Sequence, residues 1–520
     1  MIKKLALSAA SLSVLCGCAP ESIKNKEPYN VLFFLVDDLG WSDIGCYGSE
    51  IYETPNIDQL GKEGVRFTNA YAACHVSSPT RASIITGRYP ASINLTDWLP
   101  GRLNFPFQKL LNVPVDQHLP YGIATLPKVL KSNGYKTVIF GKWHLGEDSA
   151  STVLQGFDLH VPDDWNKGWP NTGYYSPFGM RELDGGQKSE YLTDRLTDEA
   201  LKYIDDNSES PFFLYMSHFA VHDPIQGRPD LVEKYRKKLE AKSSEGIPPY
   251  ILEGNPDSKN TEEVTKHNGF RIFEDQTVYI KQRQDNIQFA AMVESMDGSL
   301  GRIIEKLKEK GIDDRTIIIF YSDNGGMSAA NFYDPETLIA EDKLDAAFST
   351  SNLPLRAGKG WLYEGGIRVP LIIKLPGKNF KSAVCDVPVT SPDLFPTILD
   401  LLGIASPAGT LFDGISIRPL LEGKNTIDRD AIFWHFPHYS NHGMQSPGGA
   451  IRSGDYKLLE YFENNTVQLF NLKEDSGEKH DLSSEEPERA KMLLQKLHQW
   501  RKSINAKMMA PNPEFTERLK

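Results

Sequence analysis

Residues 30–38 read NVLFFLVDD, an almost wholly apolar run that ends at once in two carboxylates. An unbroken run of this length, with branched and aromatic side chains, describes a strand buried on both faces, because a half-exposed strand would alternate apolar with polar residues. Three other runs share the layout. Lys136 to Phe140 (KTVIF) leads into Gly141, Lys142, Trp143 and His144; Phe212 to Met216 (FFLYM) leads to His218 and His222; Thr316 to Tyr321 (TIIIFY) leads into Ser322, Asp323, Asn324 and two glycines. Helical patterns separate them over Leu126 to Ser132, Leu192 to Ile204 and Asn286 to Lys310. Strand and helix in alternation predict an α/β fold with a large, mostly parallel sheet covered by helices on both faces. Ligands of such sheets bind beyond the carboxyl ends of the strands. All four polar clusters fall there. One Asp-Asn-Gly-Gly alone would read as a turn, but four clusters carrying carboxylates, a lysine and histidines read as an active site.

Residues 75–83, HVSSPTRAS, belong to the same picture. Pro79 suits the first turn of a helix and Gly87 its end. Ser77 and Ser78 then stand at the positive end of the helix dipole, where backbone N–H groups and Arg81 favour an anion. A serine in this place is either an N-cap, its commonest role, or a nucleophile. Beside an anion site and several carboxylates, the second role implies hydrolysis or transfer of a phosphate or sulfate ester.

The chain has 520 residues, more than one compact core of ordinary size accommodates, so a large domain with a smaller companion is expected. A formal net charge of -12 argues against a protein that holds nucleic acid by bulk electrostatics. Any anionic substrate must be met by a local basic pocket. The first residues, MIKKLALSAASLSVLCGC, have the layout of a secretory signal over residues 1–18 and are too short to span a bilayer. Leu15 to Cys18 resembles a bacterial lipobox, which would lipidate Cys18; cleavage by the ordinary signal peptidase is the alternative, Cys16 being unusual in its place. Both predict export to the periplasm or cell envelope, with membrane contact only through a lipid anchor. Cys46, Cys74 and Cys385 are too few for a disulfide scaffold.

Ser77-Ser78-Pro79-Thr80-Arg81, continuing to Gly87 and Arg88, resembles the signature of the formylglycine-dependent sulfatases of the alkaline phosphatase superfamily: Cys or Ser, any residue, Pro, any residue, Arg. Gly134 to Thr137 and Gly141 to His144 resemble the second signature, with Phe140 where a smaller apolar residue is usual. The resemblance runs from about Tyr29 to the C-terminal helix and implies an alkaline phosphatase-like fold. It implies that Ser77 is oxidised to formylglycine, by a radical-type maturase acting before export, and that Asp37, Asp38, Asp323, Asn324 and the modified Ser77 hold one calcium ion. Such all-oxygen donors suit a hard cation and are a poor match for zinc. The resemblance further implies that Arg81 and Lys142 steady the formylglycine and sulfate, that His144 is the base beside the nucleophile, and that His222 and Lys359 assist the departing alcohol. Of the two hydroxyls of hydrated formylglycine, one would attack sulfur and the other, once deprotonated, would expel sulfate as the aldehyde returns, an exit that plain serine lacks.

Three rivals stand beside this reading. Two-metal phosphatases or phosphodiesterases of the superfamily need further His and Asp ligands, whereas Asp323-Asn324 has no adjacent histidine. A phosphonate monoester hydrolase can share the formylglycine and the single metal. An inactive glycan-binding surface lipoprotein would show a broken motif, and every motif position is filled.

The catalytic domain is expected over residues 28–421 and a C-terminal α+β subdomain over 422–520. Short apolar runs separated by Asn, Gly, Ser and Pro predict a small antiparallel sheet there. A helix is expected from about Glu485 to Lys507, with Ser483 and Glu486 resembling a capping box. Substrate choice is expected to lie in long loops: Asn94 to Leu119 with Asp97, Trp98 and Arg102; Asp223 to Gln284, read as polar and lid-like; and His435 to His442 with His435 and His438. Core packing and loop solubility are the competing roles for each of these residues. The stretch NLTDWLPGR and the histidine-rich loop resemble those of carbohydrate sulfatases acting on galactose or N-acetylgalactosamine sulfates, with O4 the expected position. The expected substrate is therefore a sulfated glycan or oligosaccharide.

Overall fold

The computed structural model describes residues 28–146, 151–165, 167–241, 246–257, 270, 277–332, 337–377, 382–443 and 445–516. The signal and lipobox reading lies outside the described residues. No helix among them is long and apolar enough to cross a membrane.

The four apolar runs are strands, each within one residue of its expected end. Among the described residues the central sheet has eight strands: β1 (Asn30–Val36), β2 (Val65–Phe67), β3 (Lys136–Gly141), β4 (Leu159–Val161), β5 (Phe212–Ser217), β6 (Thr316–Ser322), β7 (Leu371–Lys374) and β8 (Ala383–Cys385). Their order is β8-β2-β7-β6-β1-β5-β3-β4. The block from β6 to β4 is wholly parallel, and β7 alone runs against its neighbours. Successive residues of β1 serve different cores. Leu32, Phe34 and Val36 pack with helices α1 (Pro55–Glu63), α4 (Leu192–Asn207), α5 (Pro229–Glu240) and α6 (Ile287–Glu309). Val31, Phe33 and Leu35 pack with α2 (Ser77–Thr86), α3 (Leu126–Ser132) and α7 (Leu394–Leu402). Both faces of the pleat are dry, which is why the run shows no alternation.

Register sets the site. Val36 pairs with Ser322, Leu35 with Ser217, and Ser217 with Gly141. The residues that follow these pairs, Asp37, Asp323, His218 and Lys142, therefore leave the sheet along one rim.

The C-terminal region forms an antiparallel sheet of β9 (Ile432–Phe436), β10 (Gly448–Ser453), β11 (Tyr456–Tyr461) and β12 (Thr466–Asn471), with helix α8 (Pro487–Ser503) behind it. One face of this sheet, through Ile451, Leu458 and Leu469, meets Ala490, Leu493 and Leu497 of α8. The other face, through Trp434, Ala450, Leu459 and Phe470, shares a core with Tyr71, Trp361 and Tyr363. The capping box expected at Ser483 and Glu486 is not formed: Glu486 is the cap residue without a side-chain bond, and Pro487 presets the first turn instead. The stretch 223–284, expected to be polar and lid-like, carries among its described residues α5 and a two-stranded pairing of Tyr250–Glu253 with Val278–Lys281.

A buried ion network ties the two regions. Lys457 Nζ lies 2.8 Å from Glu478 and 3.0 Å from Glu364, all three fully buried, and the Tyr71 hydroxyl donates to Glu364 at 2.7 Å. Burial pushes the Glu478 carboxyl up to about 7 against the pull of Lys457, and the Glu364 charge adds to the rise. A raised folded-state pKa contributes stability below the unfolded value and loses it as pH climbs through about 7. Lys457→Met strands two buried carboxylates. It is expected to lower unfolding free energy by about 3–5 kcal/mol near pH 8 and by less near pH 5, where Glu478 takes a proton; urea denaturation at both pH values measures the difference.

Candidate active site

Helix α2 begins at Ser77 itself. Its cap residue is Val76, which makes no side-chain cap bond, and Gly87 closes the helix in the left-handed conformation at φ +67°. Ser77 is thus not the N-cap. Its hydroxyl instead faces the rim, 3.1 Å from Asp37 Oδ1 and 3.3 Å from Asn324 Oδ1, and Lys142 Nζ donates to it at 3.2 Å. Ser78 turns away, its Oγ accepting the Leu99 N–H at 3.1 Å.

Opposite charges alternate around the rim. Lys142 Nζ lies 2.7 Å from Asp37 Oδ2. Arg81 Nε donates to Asp323 Oδ2 at 2.8 Å, its Nη2 lies 2.8 Å from the same oxygen, and its Nη1 donates to the Ser217 hydroxyl at 2.7 Å. Lys359 Nζ donates to Asp38 Oδ2 at 2.7 Å and lies 3.0 Å from His222 Nε2. His222 Nδ1 reaches Asp223 Oδ1 at 2.7 Å. All of these side chains are buried except Asp223, which is partly exposed at the mouth.

Backbone geometry aims them. Gly141 sits at φ +101° at the end of β3, where a Cβ would lie 2.1 Å from the Ser217 carbonyl oxygen, so only glycine lets the chain turn Lys142 onto the rim. Asp38 and His144 hold the same left-handed region, at φ 60° and 57°. Such positions cost on the order of 1–3 kcal/mol each and persist only where the surroundings over-determine them.

Burial and charge shape the titration. Burial, reinforced by the Asp323 charge, pushes the Asp37 carboxyl up to about 6, while Lys142 is lowered by burial against the pull of Asp37. Burial would raise Asp38 too, but Lys359 and His222 hold it below the usual carboxylate range. Burial and Lys359 oppose a positive His222, yet Asp223, Asp38 and Asp37 outweigh them and raise its pKa. Burial, then Lys142, drive His144 well below its ordinary value. His144 Nε2 must donate to the Leu99 carbonyl, 2.8 Å away, which leaves Nδ1 as the acceptor.

The oxygen set matches a hard cation. Asn324 Nδ2 donates to Asp38 Oδ1 at 2.8 Å, the Asp38 N–H donates to Asp323 Oδ1 at 3.2 Å, and Asp37, Asp38 and His222 each offer a ligand atom within 4.8 Å of one another. Three buried carboxylates on one rim crowd like charge, and a divalent ion would relieve it.

Above the rim lies a cavity of about 380 Å³. Ser77, His144, His222 and Lys359 line its floor; Trp98, Trp169, Asp223, Asn331, Asn441 and His442 line its mouth. Of the five residues expected to contact sugar, only Trp98 lines it. The other four serve the wall behind. Asp97 accepts the N–H groups of Trp98 and Arg102. The Arg102 guanidinium donates to the Asn441 amide oxygen and to the carbonyls of Ser440 at 3.3 Å and Phe332 at 3.4 Å. His438 Nε2 pairs with Thr96, and His435 Nε2 with the Lys507 carbonyl at 2.8 Å. Trp169 and Asn331 were not among the expected site residues; Asp223 and His442 were named only as the ends of loops, and Asn441 lay within one. Asp223 had a signal, since it directly follows His222; Trp169 and Asn331 sit on segments that only tertiary structure brings to the mouth.

Comparison with known proteins gives a consistent family. The model described as Sulfatase matches residues 29–404, and one described as N-sulphoglucosamine sulphohydrolase, C-terminal, matches residues 357–506. A protein named Sulfatase from Formosa agariphila is 30% identical over 93% of this chain and 90% of its own length. The N-acetylgalactosamine-6-sulfatase of Canis lupus familiaris is 29% identical over 83% of this chain and 71% of its own. Among solved structures, Ps i-CgsB has a TM-score of 0.68 at 26% identity, covering 94% of this chain and 95% of that one. Ps i-CgsB in complex with k-i-k-neocarrahexaose has a TM-score of 0.66 at 28% identity, covering 91% and 93%.

Calcium at a hundredfold excess over its Kd is expected to stabilise the protein by about 3 kcal/mol, read as a rise in Tm that a chelator reverses. Asp38→Asn should abolish the rise; a full calcium shift in that variant would remove Asp38 from the ligand set.

Proposed function

Because the chain belongs to the sulfatase family, and so is a sulfuric ester hydrolase, we propose that it is exported and desulfates glycans through a formylglycine made from Ser77 and one calcium ion. The observation that carries this reading is the placement of Ser77 Oγ between Asp37, Asn324 and Lys142, at a helix start where it caps nothing. Asp37, Asp38, Asp323, Asn324 and the modified Ser77 would hold the ion, which supplies charge neutralisation to the sulfate oxygens. An aldehyde hydrate in place of the hydroxyl supplies both a nucleophile and a means of releasing sulfate.

The chain's own residues do the rest. Lys142 and Arg81 keep positive charge against Asp37 and Asp323 and present it to the anion. The acceptor Nδ1 of His144 receives the proton whose loss frees sulfate. His222 and Lys359, 3.0 Å apart, share the protons available to the leaving alcohol oxygen.

Galactose or N-acetylgalactosamine O-sulfates are the proposed substrates. The mammalian relative named above and the neocarrahexaose bound by Ps i-CgsB support this sugar class. The ester position, expected at O4, is tested against O6, the position in the relative's name. Residues 28–421 would carry the reaction and 422–520 would complete the pocket mouth, with residues 1–18 directing export and Cys18 as a lipid anchor.

After coexpression with a serine-type maturase, the tryptic peptide Phe67 to Arg81 should show oxidation of Ser77 and aldehyde reactivity by mass spectrometry. An unmodified Ser77 in an active enzyme would sink the formylglycine reading. The same preparation should release sulfate from 4-O- and 6-O-sulfated galactosides well ahead of phosphate or phosphonate from matched esters. Faster phosphonate turnover would favour the rival hydrolase. His222→Ala is expected to lower kcat on the preferred sugar sulfate by about 10²–10⁴-fold, measured by ion chromatography of released sulfate.

A further inference from the structure

His442 is 4% exposed, lines the cavity mouth, and has no hydrogen-bond partner at either ring nitrogen among the described residues. A buried histidine with both nitrogens unmet is costly unless something the cavity admits meets them. Its place is fixed from two sides. Asn331 and His442 form an antiparallel bridge, and the Phe332 N–H donates to the Asn441 carbonyl at 2.8 Å. Arg102 clamps both segments, as described above. On the other side lies Gly360, next in the chain to Lys359. A Cβ at Gly360 would lie 2.4 Å from His442 Cβ, so the His442 side chain packs directly on the Gly360 backbone and stands on the Lys359 side of the cavity.

Resting on the carbohydrate-sulfatase reading above, we propose that His442 is a specificity-determining residue that hydrogen-bonds the sugar hydroxyl nearest the sulfate ester. The chemistry of the wall selects a hydroxyl. A neutral imidazole offers one donor and one acceptor, as a hydroxyl does. Beside it, Asn441 has its amide oxygen engaged by Arg102, and its amide nitrogen is the group left for the cavity. Neither His442 nor Asn441 brings a fixed positive charge for a second sulfate. Lys359 is placed for the leaving oxygen, so the hydroxyl that reaches His442 is the one beside it.

The test uses binding, in calcium-containing buffer and a Ser77→Ala background that cannot turn over substrate. Calorimetry would compare galactose 4-sulfate with its 3-deoxy analogue and galactose 6-sulfate with its 4-deoxy analogue, with inorganic sulfate as the reference. For the tighter-binding pair, the deoxy analogue is expected to bind about tenfold more weakly. Adding His442→Ala should weaken the parent by a similar factor and leave parent and deoxy sugar alike, while His442→Gln, which keeps a donor and an acceptor, should restore part of the difference. Two outcomes overturn the inference alone: a deoxy penalty that survives His442→Ala, or an equal loss for both sugars. Sugars that bind no tighter than inorganic sulfate also overturn it alone. If neither the sugars nor inorganic sulfate bind, the carbohydrate-sulfatase reading fails and takes this inference with it.

Discussion

Arg81 reaches from the second turn of its helix to Asp323 at the far side of β1, and on that ion pair the rest of the rim depends. Asp37 and Asp323 leave neighbouring parallel strands at the same height because the register of β1 and β6 leaves no other choice. Two carboxylates so placed in a dry site would drive each other toward protonation. The guanidinium meets Asp323 closely and Asp37 at 3.6 Å, while Lys142 takes the outer oxygen of Asp37. Cations and anions interleave, so the negative charge a cation needs and the positive charge an oxyanion needs occupy one small volume. Neither set would be tolerated alone.

Rigidity follows from the same arrangement. Asp38 and His144 sit in backbone conformations that a loose loop would relax. Each is anchored within two or three residues of a buried strand, and each side chain is engaged: Asp38 by Lys359 and Asn324, His144 by the Leu99 carbonyl. Gly168 lies against the His144 ring so closely that a Cβ would fall 2.5 Å from Cε1, which brings Trp169 to the mouth. Gly168 against the ring and the Leu99 carbonyl at Nε2 together fix the orientation of the imidazole.

The strands and their polar ends were legible because burial on both faces removes the ambiguity of a half-exposed pattern, and because a carboxylate or lysine after such a run has few structural roles. Ser77 was ambiguous in sequence, since an N-cap and a nucleophile want the same residue at the same helix end; only the position of Val76 as cap separates them. The mouth was mostly illegible. Arg102, Asp97 and His438 are polar loop residues and His435, expected in a loop, lies in β9; polar side chains there suggest contact with solvent or ligand, yet all four are buried and bonded to the protein. The role of Arg102 depends on a bridge between segments near 331 and 442 that no local pattern announces. The Ser483 and Glu486 spacing misled for a simpler reason: Pro487 presets the first turn and the helix starts on it.

The sandwiching of the C-terminal sheet has a consequence for how such an enzyme can change over time. Asp37, Asp38, Lys142, Asp323 and Asn324 follow the ends of parallel strands whose positions are locked by two cores, whereas Asn441 and His442 arrive on a loop between β9 and β10, held by Arg102, the bridge to Asn331 and the packing of His442 on Gly360. With His442 in the role proposed for it, drift in that loop would alter which sugar is accepted while the charge network stays untouched. On the proposed reading, chemistry and selectivity thus rest on different contacts of one chain.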